Sequence, residues 1–284
     1  MIVAGAAVQG TAHLAAGQGC QDAFKAVDLG NAAVLAVSDG AGSRDRSALG
    51  AHIAVDAACR LLAEDVPGAE ETPEAWTRWT AGRGRRVVEE YLRAVSGVLG
   101  TETGVPGAET GLPGTETRLL STETRLPGTE TGAGDPGALA ATLTAAVVAP
   151  PWAAFVSLGD GFGTLLTRDD RCHLVLPPPA APAAFLSSPG AALRVRTFVV
   201  WEPELDGVVL ATDGCAALTL DHPDSRQLPP ECGPLPSERF FLGLAATLRE
   251  NHGDAEPLRR GLSGPDAART GDDLTVLCAL VEGR

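Results

Sequence analysis

A short apolar run, Ala32 to Val37, ends in Ser38-Asp39-Gly40-Ala41-Gly42-Ser43, and this junction limits what can be built around it. The run is bounded by turn residues and predicts a buried strand. The two glycines that follow let the backbone turn sharply and come close to a ligand. Arg46 or Ser47 then opens a helix with Ile53, Ala54, Ala57, Ala58, Leu61 and Leu62 at helical spacing, expected to end near Asp65. An aspartate that leaves a buried strand and precedes a glycine can hold a metal ion through its carboxylate and the glycine carbonyl. The same pattern makes an ordinary strand-to-helix turn, so Asp39-Gly40 alone leaves both readings open.

Asp39 has company. Asp22 stands ahead of the strand-like Ala23 to Val27, Asp213-Gly214 follows Val208 to Ala211, and Asp272-Asp273 precedes Leu274 to Val281. Carboxylates gathered at strand ends by folding are hard oxygen ligands suited to magnesium or manganese. The net charge of −14 excludes a nucleic-acid partner, which needs a basic footprint. It leaves a phosphorylated substrate open, because bound divalent ions reverse the local potential. Neither a basic, apolar leader nor a run of about twenty apolar residues is present, which predicts a soluble, cytoplasmic protein without membrane contact. The six cysteines lack any Cys-x-x-Cys pair and read as free thiols, mostly buried.

Along the chain, residues 2–9 form a first strand, and Thr72-Pro73-Glu74 starts a second helix with Trp76, Trp79, Val87, Val88, Tyr91, Leu92 and Val95 on its apolar face. Gly82 and Gly84 weaken the middle of that helix. Residues 101–135 divide into five sevens of the type Thr-Glu-Thr-Gly-Val-Pro-Gly. One apolar residue per unit and frequent Pro-Gly rule out a coiled coil and predict a disordered linker. Strands follow at Leu139 to Ala149, Trp152 to Ser157, Gly163 to Thr167 and Cys172 to Leu176, then a loop or flap over 177–189. Strands resume at Leu193 to Val200 and Val208 to Ala211, an amphipathic helix covers Ser237 to Glu250, and a strand at Leu274 to Val281 closes the chain. This order fits an antiparallel sandwich covered by helices. Aromatics are only 4% of the chain, so the core rests on Ala, Val and Leu. The expectation is one domain over 1–284, interrupted at 101–135.

Several motifs appear in an order that resembles the metal-dependent protein phosphatase 2C family, in its compact bacterial branch. They are Gly10-Thr-Ala-His13 with Cys20-Gln21-Asp22-Ala23, Val37-Ser-Asp39-Gly40-Ala-Gly42-Ser43, Ser157-Leu-Gly159-Asp160-Gly161, Leu210-Ala-Thr-Asp213-Gly214 and Gly271-Asp272-Asp273-Leu-Thr275. The resemblance implies an α+β fold, a four-layer αββα sandwich of two antiparallel β-sheets flanked by helices. It implies a serine/threonine protein phosphatase in which two divalent ions, Mn2+ or Mg2+, about 4 Å apart, share Asp39 and activate a water. Asp213 and Asp272 would complete one ion's shell, and the Gly40 carbonyl and Asp22 would serve the other. Asp160 matches a weaker third ion site, or is a turn residue between two glycines. Asp273 stands where the family often has asparagine, a change expected beside the metal ligands rather than among them. The partners implied are a phosphorylated protein and a paired serine/threonine kinase.

Two positions depart from the family pattern. A phosphate-binding arginine five residues before the Asp22 position is replaced by Gly17, and the histidine that eukaryotic members carry after Asp-Gly is Ala41. Arg44 and Arg46, just after the metal-binding turn, are candidates to grip phosphate, or are solvated loop residues. His13 is the candidate acid or phosphate contact, or a structural histidine. A regulatory phosphoprotein-binding module of the same fold and a small-molecule phosphatase are the alternative functions.

Overall fold

Apolar residues on both faces of the central strands sort the chain into layers. In the computed structural model, which describes residues 1–42, 44, 46–102, 135–179 and 183–282, the strand β3 (Ala33–Ser38) is buried along its whole length. Val34 and Ala36 join the cluster beneath two long helices, while Ala33, Leu35 and Val37 face a second sheet.

In chain order the elements are β1 (Ile2–Val8), α1 (Thr11–Ala15), β2 (Ala23–Asp28), β3, α2 (Ser47–Leu62), α3 (Pro73–Glu102), β4 (Leu143–Ala149) and β5 (Trp152–Leu158). There follow β6 (Phe162–Thr167), β7 (Arg171–Leu176), α4 (Ala191–Arg194), β8 (Arg196–Trp201), β9 (Leu205–Ala211) and α5 (Ala216–Thr219). The chain continues through β10 (Leu220–Asp221), β11 (Leu235–Pro236), α6 (Glu238–Glu250), α7 (Glu256–Leu262) and β12 (Leu274–Leu280). Two five-stranded antiparallel sheets result, ordered β1-β12-β9-β6-β7 and β2-β3-β4-β5-β8, with β10-β11 as a small hairpin apart. Between the sheets Phe155 stacks on Phe198 with ring centroids 4.7 Å apart, in a layer shared with Leu165, Leu210 and Leu277. Helices α2 and α3 cover the outer face of one sheet, and α6 and α7 that of the other. The expected αββα sandwich is therefore the observed one.

Local chemistry explains the longest helix. The Thr72 hydroxyl accepts the Ala75 N–H at 3.3 Å, and Trp76, fully buried, stacks on Trp152 at 5.7 Å. Gly84 does not interrupt α3, because it packs on β8: a Cβ there would meet Thr197 Cγ2 at 2.8 Å. Packing of this kind overrides the weak helix propensity of glycine.

Several boundaries differ from expectation. The strand read from Leu139 begins at Leu143 after a 3-10 turn, Pro136–Leu139, and the segment read as strand from Leu193 opens as α4. Helices α1 and α7 were not signalled by periodicity, being five and seven residues long. The first two residues of the 101–135 repeat belong to α3, and the last, Asp135, caps the 3-10 turn by accepting the Gly137 N–H at 2.8 Å. The linker reading otherwise falls on residues 103–134, outside the described residues.

Candidate metal centre

Antiparallel pairing puts the exits of β3 and β9 beside the entries of β2, β6 and β12, so Asp22, Asp39, Asp160, Asp213 and Asp272 leave the sheets at one end. Asp160 lies on the turn by which the chain crosses from one sheet to the other. One carboxylate oxygen each of Asp39, Asp160 and Asp213 lies within 4.8 Å of the others. Asp272 and Asp22 stand outside this trio but act on it by charge.

The turn carrying Asp39 is fastened from both sides. The Asp39 N–H donates to Thr142 Oγ1 at 3.0 Å, and the Thr142 N–H donates to the Asp39 carbonyl at 2.8 Å. The Gly40 N–H donates to the Gln21 carbonyl at 3.1 Å, and the Ala41 N–H to the Ala140 carbonyl at 2.9 Å. Gly40 is required by close approach: a Cβ would fall 2.6 Å from the Ser47 carbonyl carbon and 2.9 Å from the Gln21 oxygen. The flap segment joins the same wall, with the Leu186 N–H donating to the Ala141 carbonyl at 2.8 Å.

Burial and mutual repulsion make this a site that calls for cations. Desolvation, then the charges of Asp22, Asp213, Asp272 and Asp160, pushes Asp39 up to about 10. Burial likewise raises Asp22 to about 7, although the Thr212 hydroxyl donates to its Oδ2 at 2.7 Å. Asp213 is raised to about 6 by burial and by Asp160 and Asp272, and burial raises Asp160 as well. Asp160 Oδ1 is buried without a hydrogen-bond donor. All-oxygen donors, one of them orphaned, fit magnesium or manganese.

The remaining predicted residues sit around this cluster. Arg44 is exposed, and its carbonyl accepts the Ser47 hydroxyl at 3.1 Å, while half-buried Arg46 leads into α2. His13 lies on α1, whose Ala12 N–H donates to the Gly271 carbonyl at 2.9 Å. Its Nδ1 is 3.0 Å from Asp273 Oδ2, off the line of an ideal hydrogen bond. Its Nε2 faces Gly42, 3.5 Å from where a Cβ would stand. Sequence reasoning missed the supports Thr142 and Thr212, which bond Asp39 and Asp22, while Asp273, noted there for its departure from the family's asparagine, is buried. A threonine one residue before Asp213 was the available signal for Thr212.

Against known proteins, a search of curated sequences finds no match. Solved structures share the fold at low identity. The Mycobacterium tuberculosis serine/threonine phosphatase PstP/Ppp is 16% identical, with 100% of each chain covered and a TM-score of 0.54. The catalytic domain of PstP in complex with two manganese ions is 17% identical, covering 99% of this chain and 98% of that one, with a TM-score of 0.53. A bacterial serine phosphatase is 11% identical over 100% of this chain and 99% of its own, with a TM-score of 0.54. The family profile described as Protein phosphatase 2C matches residues 9–262, which takes in Asp22, Asp39, Asp160 and Asp213. With its sandwich and its acidic cluster where that profile runs, the chain belongs to the protein phosphatase 2C family.

Proposed function

We propose that this chain is a serine/threonine protein phosphatase that hydrolyses phosphoesters with two divalent cations, Mn2+ or Mg2+. The observation that carries the reading is the trio Asp39, Asp160 and Asp213, with oxygens within 4.8 Å of one another on a phosphatase 2C chain. Asp39, Asp213 and Asp272 would hold one ion, Gly40 and Asp22 would serve the second, and Asp160 would add a weaker third. When bound, such ions supply an activated water and neutralise phosphate charge. The chain's own residues do the rest: Thr142 and Gln21 hold the Asp39-Gly40 turn in place, Arg44 and Arg46 grip a phosphate oxygen, and His13 protonates the leaving oxygen or contacts the phosphate. The substrate is a phosphorylated protein, a paired serine/threonine kinase supplies its phosphate, and the reaction runs in the cytoplasm. No described helix is long and apolar enough to cross a membrane.

The test is turnover of p-nitrophenyl phosphate and of phosphoserine and phosphothreonine peptides, with manganese, with magnesium and with excess chelator. Activity on both substrate types that needs metal is the expected result. Full activity in chelator would sink the reading. Phosphopeptide binding without turnover in any metal would make the chain a regulatory module instead.

A further inference from the structure

One buried carboxylate at this end is given no metal to hold. The Asp273 side chain is fully shielded, and two backbone N–H groups and an imidazole nitrogen converge on it from separate positions. One oxygen accepts the Gly10 N–H at 2.6 Å; the other accepts the Gln21 N–H at 2.6 Å and lies 3.0 Å from His13 Nδ1. A single side chain thus ties the entry of α1, the residue before Asp22, and the imidazole to the start of β12. Hydrogen bonds around a catalytic imidazole are often poorly aligned without substrate and tighten when it binds.

We infer that Asp273 is a positioning residue for His13, holding the imidazole with its Nδ1–H inward so that Nε2 delivers a proton to the leaving oxygen. This rests on the phosphohydrolase reading above. Facing N–H groups, the carboxylate acts as an acceptor, so the ring nitrogen beside it must carry hydrogen. Nε2 is thereby left as the exchangeable atom, turned toward Gly42 in the turn that follows Asp39-Gly40. His13 is mostly shielded, with 17% of its side chain exposed, so it remains reachable from solvent. In the reaction a water oxygen bonds to phosphorus as the bond to the serine or threonine oxygen breaks. His13 enters this step as the imidazolium. The electron pair stays on the leaving oxygen, which takes the Nε2 proton and leaves the neutral Nδ1–H ring, and the proton lost by the attacking water is returned to Nε2 through solvent. An asparagine at 273 has one acceptor oxygen for three N–H groups. It must turn its amide toward one of them and, facing the ring, would favour hydrogen on Nε2 instead.

The test uses the full chain and four proteins: the unmodified chain, His13→Ala, Asp273→Asn and the double variant. Metal-loaded turnover is compared on a phosphoserine peptide and on p-nitrophenyl phosphate, whose good leaving group needs little protonation. His13→Ala should lower turnover of the peptide by about 10²-fold or more, and by at least about tenfold more than that of the aryl ester. Asp273→Asn should show the same preference, and the double variant should be no slower than His13→Ala, since both changes remove one function. Losses that multiply, or that are equal on the two substrates, would overturn the assignment. A second readout needs neither metal nor turnover: imidazole 15N spectra, with the His13 signal identified by its loss in His13→Ala. Neutral His13 should carry its hydrogen on Nδ1 in the unmodified chain and shift toward Nε2–H in Asp273→Asn. Hydrogen on Nε2 in the unmodified chain would overturn the pair even if Asp273→Asn fails to fold. Missing turnover with the expected spectra would overturn the phosphatase reading and leave the pairing in place.

Discussion

The two ends of the sandwich are built from the same kinds of turn and carry opposite chemistry. At the end away from the aspartates, a cleft of about 710 Å³ is lined by Leu29 to Ala32, Pro150, Pro151, Arg168 and Glu282. There the Met1 ammonium pairs with Glu282, and prolines and glycines close the turns. At the aspartate end, the hollow touching Gly10 and Asp272 is only about 210 Å³. The larger space thus lies away from the acidic cluster. Where five carboxylates crowd, charge marks the site better than volume does. The sharpest way to break this contrast is kinetic. Asp39→Asn or Asp213→Asn should lower metal-dependent turnover by about 10²- to 10³-fold or more, while Arg168→Ala and Asn31→Ala leave it within about twofold. A comparable loss from either far-end variant would erase the contrast.

A second measurement sharpens it through stability. Asp213 and Asp22 have folded values of about 6 and about 7, above their ordinary 3.8, and Asp39 lies higher still at about 10. A raised carboxyl contributes stability that is present below its unfolded value and lost as pH rises through its folded one. In chelator, therefore, the melting temperature should fall from about pH 4 to about pH 7, and further toward about pH 10 as Asp39 ionises. At about 1.4 kcal/mol per unit for each carboxyl, the loss is at least a few kcal/mol, on the order of 5–10 °C or more. Manganese or magnesium should restore it most at the alkaline end, by about 2.7 kcal/mol at a hundredfold excess over Kd. Asp39→Asn, which imitates the neutral acid, should flatten the pH dependence in chelator. A melting temperature that rises over this range would show that the carboxylates are not crowded as described.

A third comparison sets two glycines side by side. Gly40→Ala drives a methyl group into the Ser47 carbonyl and the Gln21 oxygen, whereas a Cβ at Gly68, which lines the far cleft, meets nothing within 4 Å. Denaturant titration should show a loss of about 1–3 kcal/mol for the first and a change within about 0.5 kcal/mol for the second. Equal effects would mean that the Asp39-Gly40 turn can shift freely.

How far the sequence carries depends on whether the signal is local. The run Ala32 to Val37 and the apolar spacing of α2 are local, and they placed β3 and its helix to within a few residues. Helix α1 is the opposite case. It has five residues, Gly10 at its N-terminus without a side-chain cap, and an amide bonded across to Gly271, so its existence is a tertiary fact. His13 and Asp273 were nevertheless both noticed, through the motif order, but their proximity was not. Asp273 reads as half of an Asp-Asp pair, and only the fold turns it away from its neighbour, toward Gly10 and Gln21. Asp160 was ambiguous for the same reason. A Gly-Asp-Gly turn looks alike in either role, and the difference lies in which strands cross beside it.

The smallest effect is expected from the repeat, which re-enters the chain at the site end. Asp135 leads within a few residues to Ala140, Ala141 and Thr142, which fasten the Asp39-Gly40 turn and the flap. We propose a single domain for which the intervening repeat is dispensable, and deleting residues 103–134 tests whether the site end relies on it. The flanks can be joined. Tyr91 of α3 bonds the Leu139 carbonyl, and α3 runs on to Glu102, about 16 Å further at about 1.5 Å per residue. A Gly/Ser linker of about ten residues spans up to about 30 Å and closes the gap without strain. Shortening a loop about threefold changes its closure cost by only about 1 kcal/mol. The melting temperature should therefore move by no more than about 3 °C, and kcat/KM should stay within about twofold. A tenfold loss of turnover with an unchanged melting temperature would make the repeat a working part of the site end, and a collapse in stability would make it part of the domain itself.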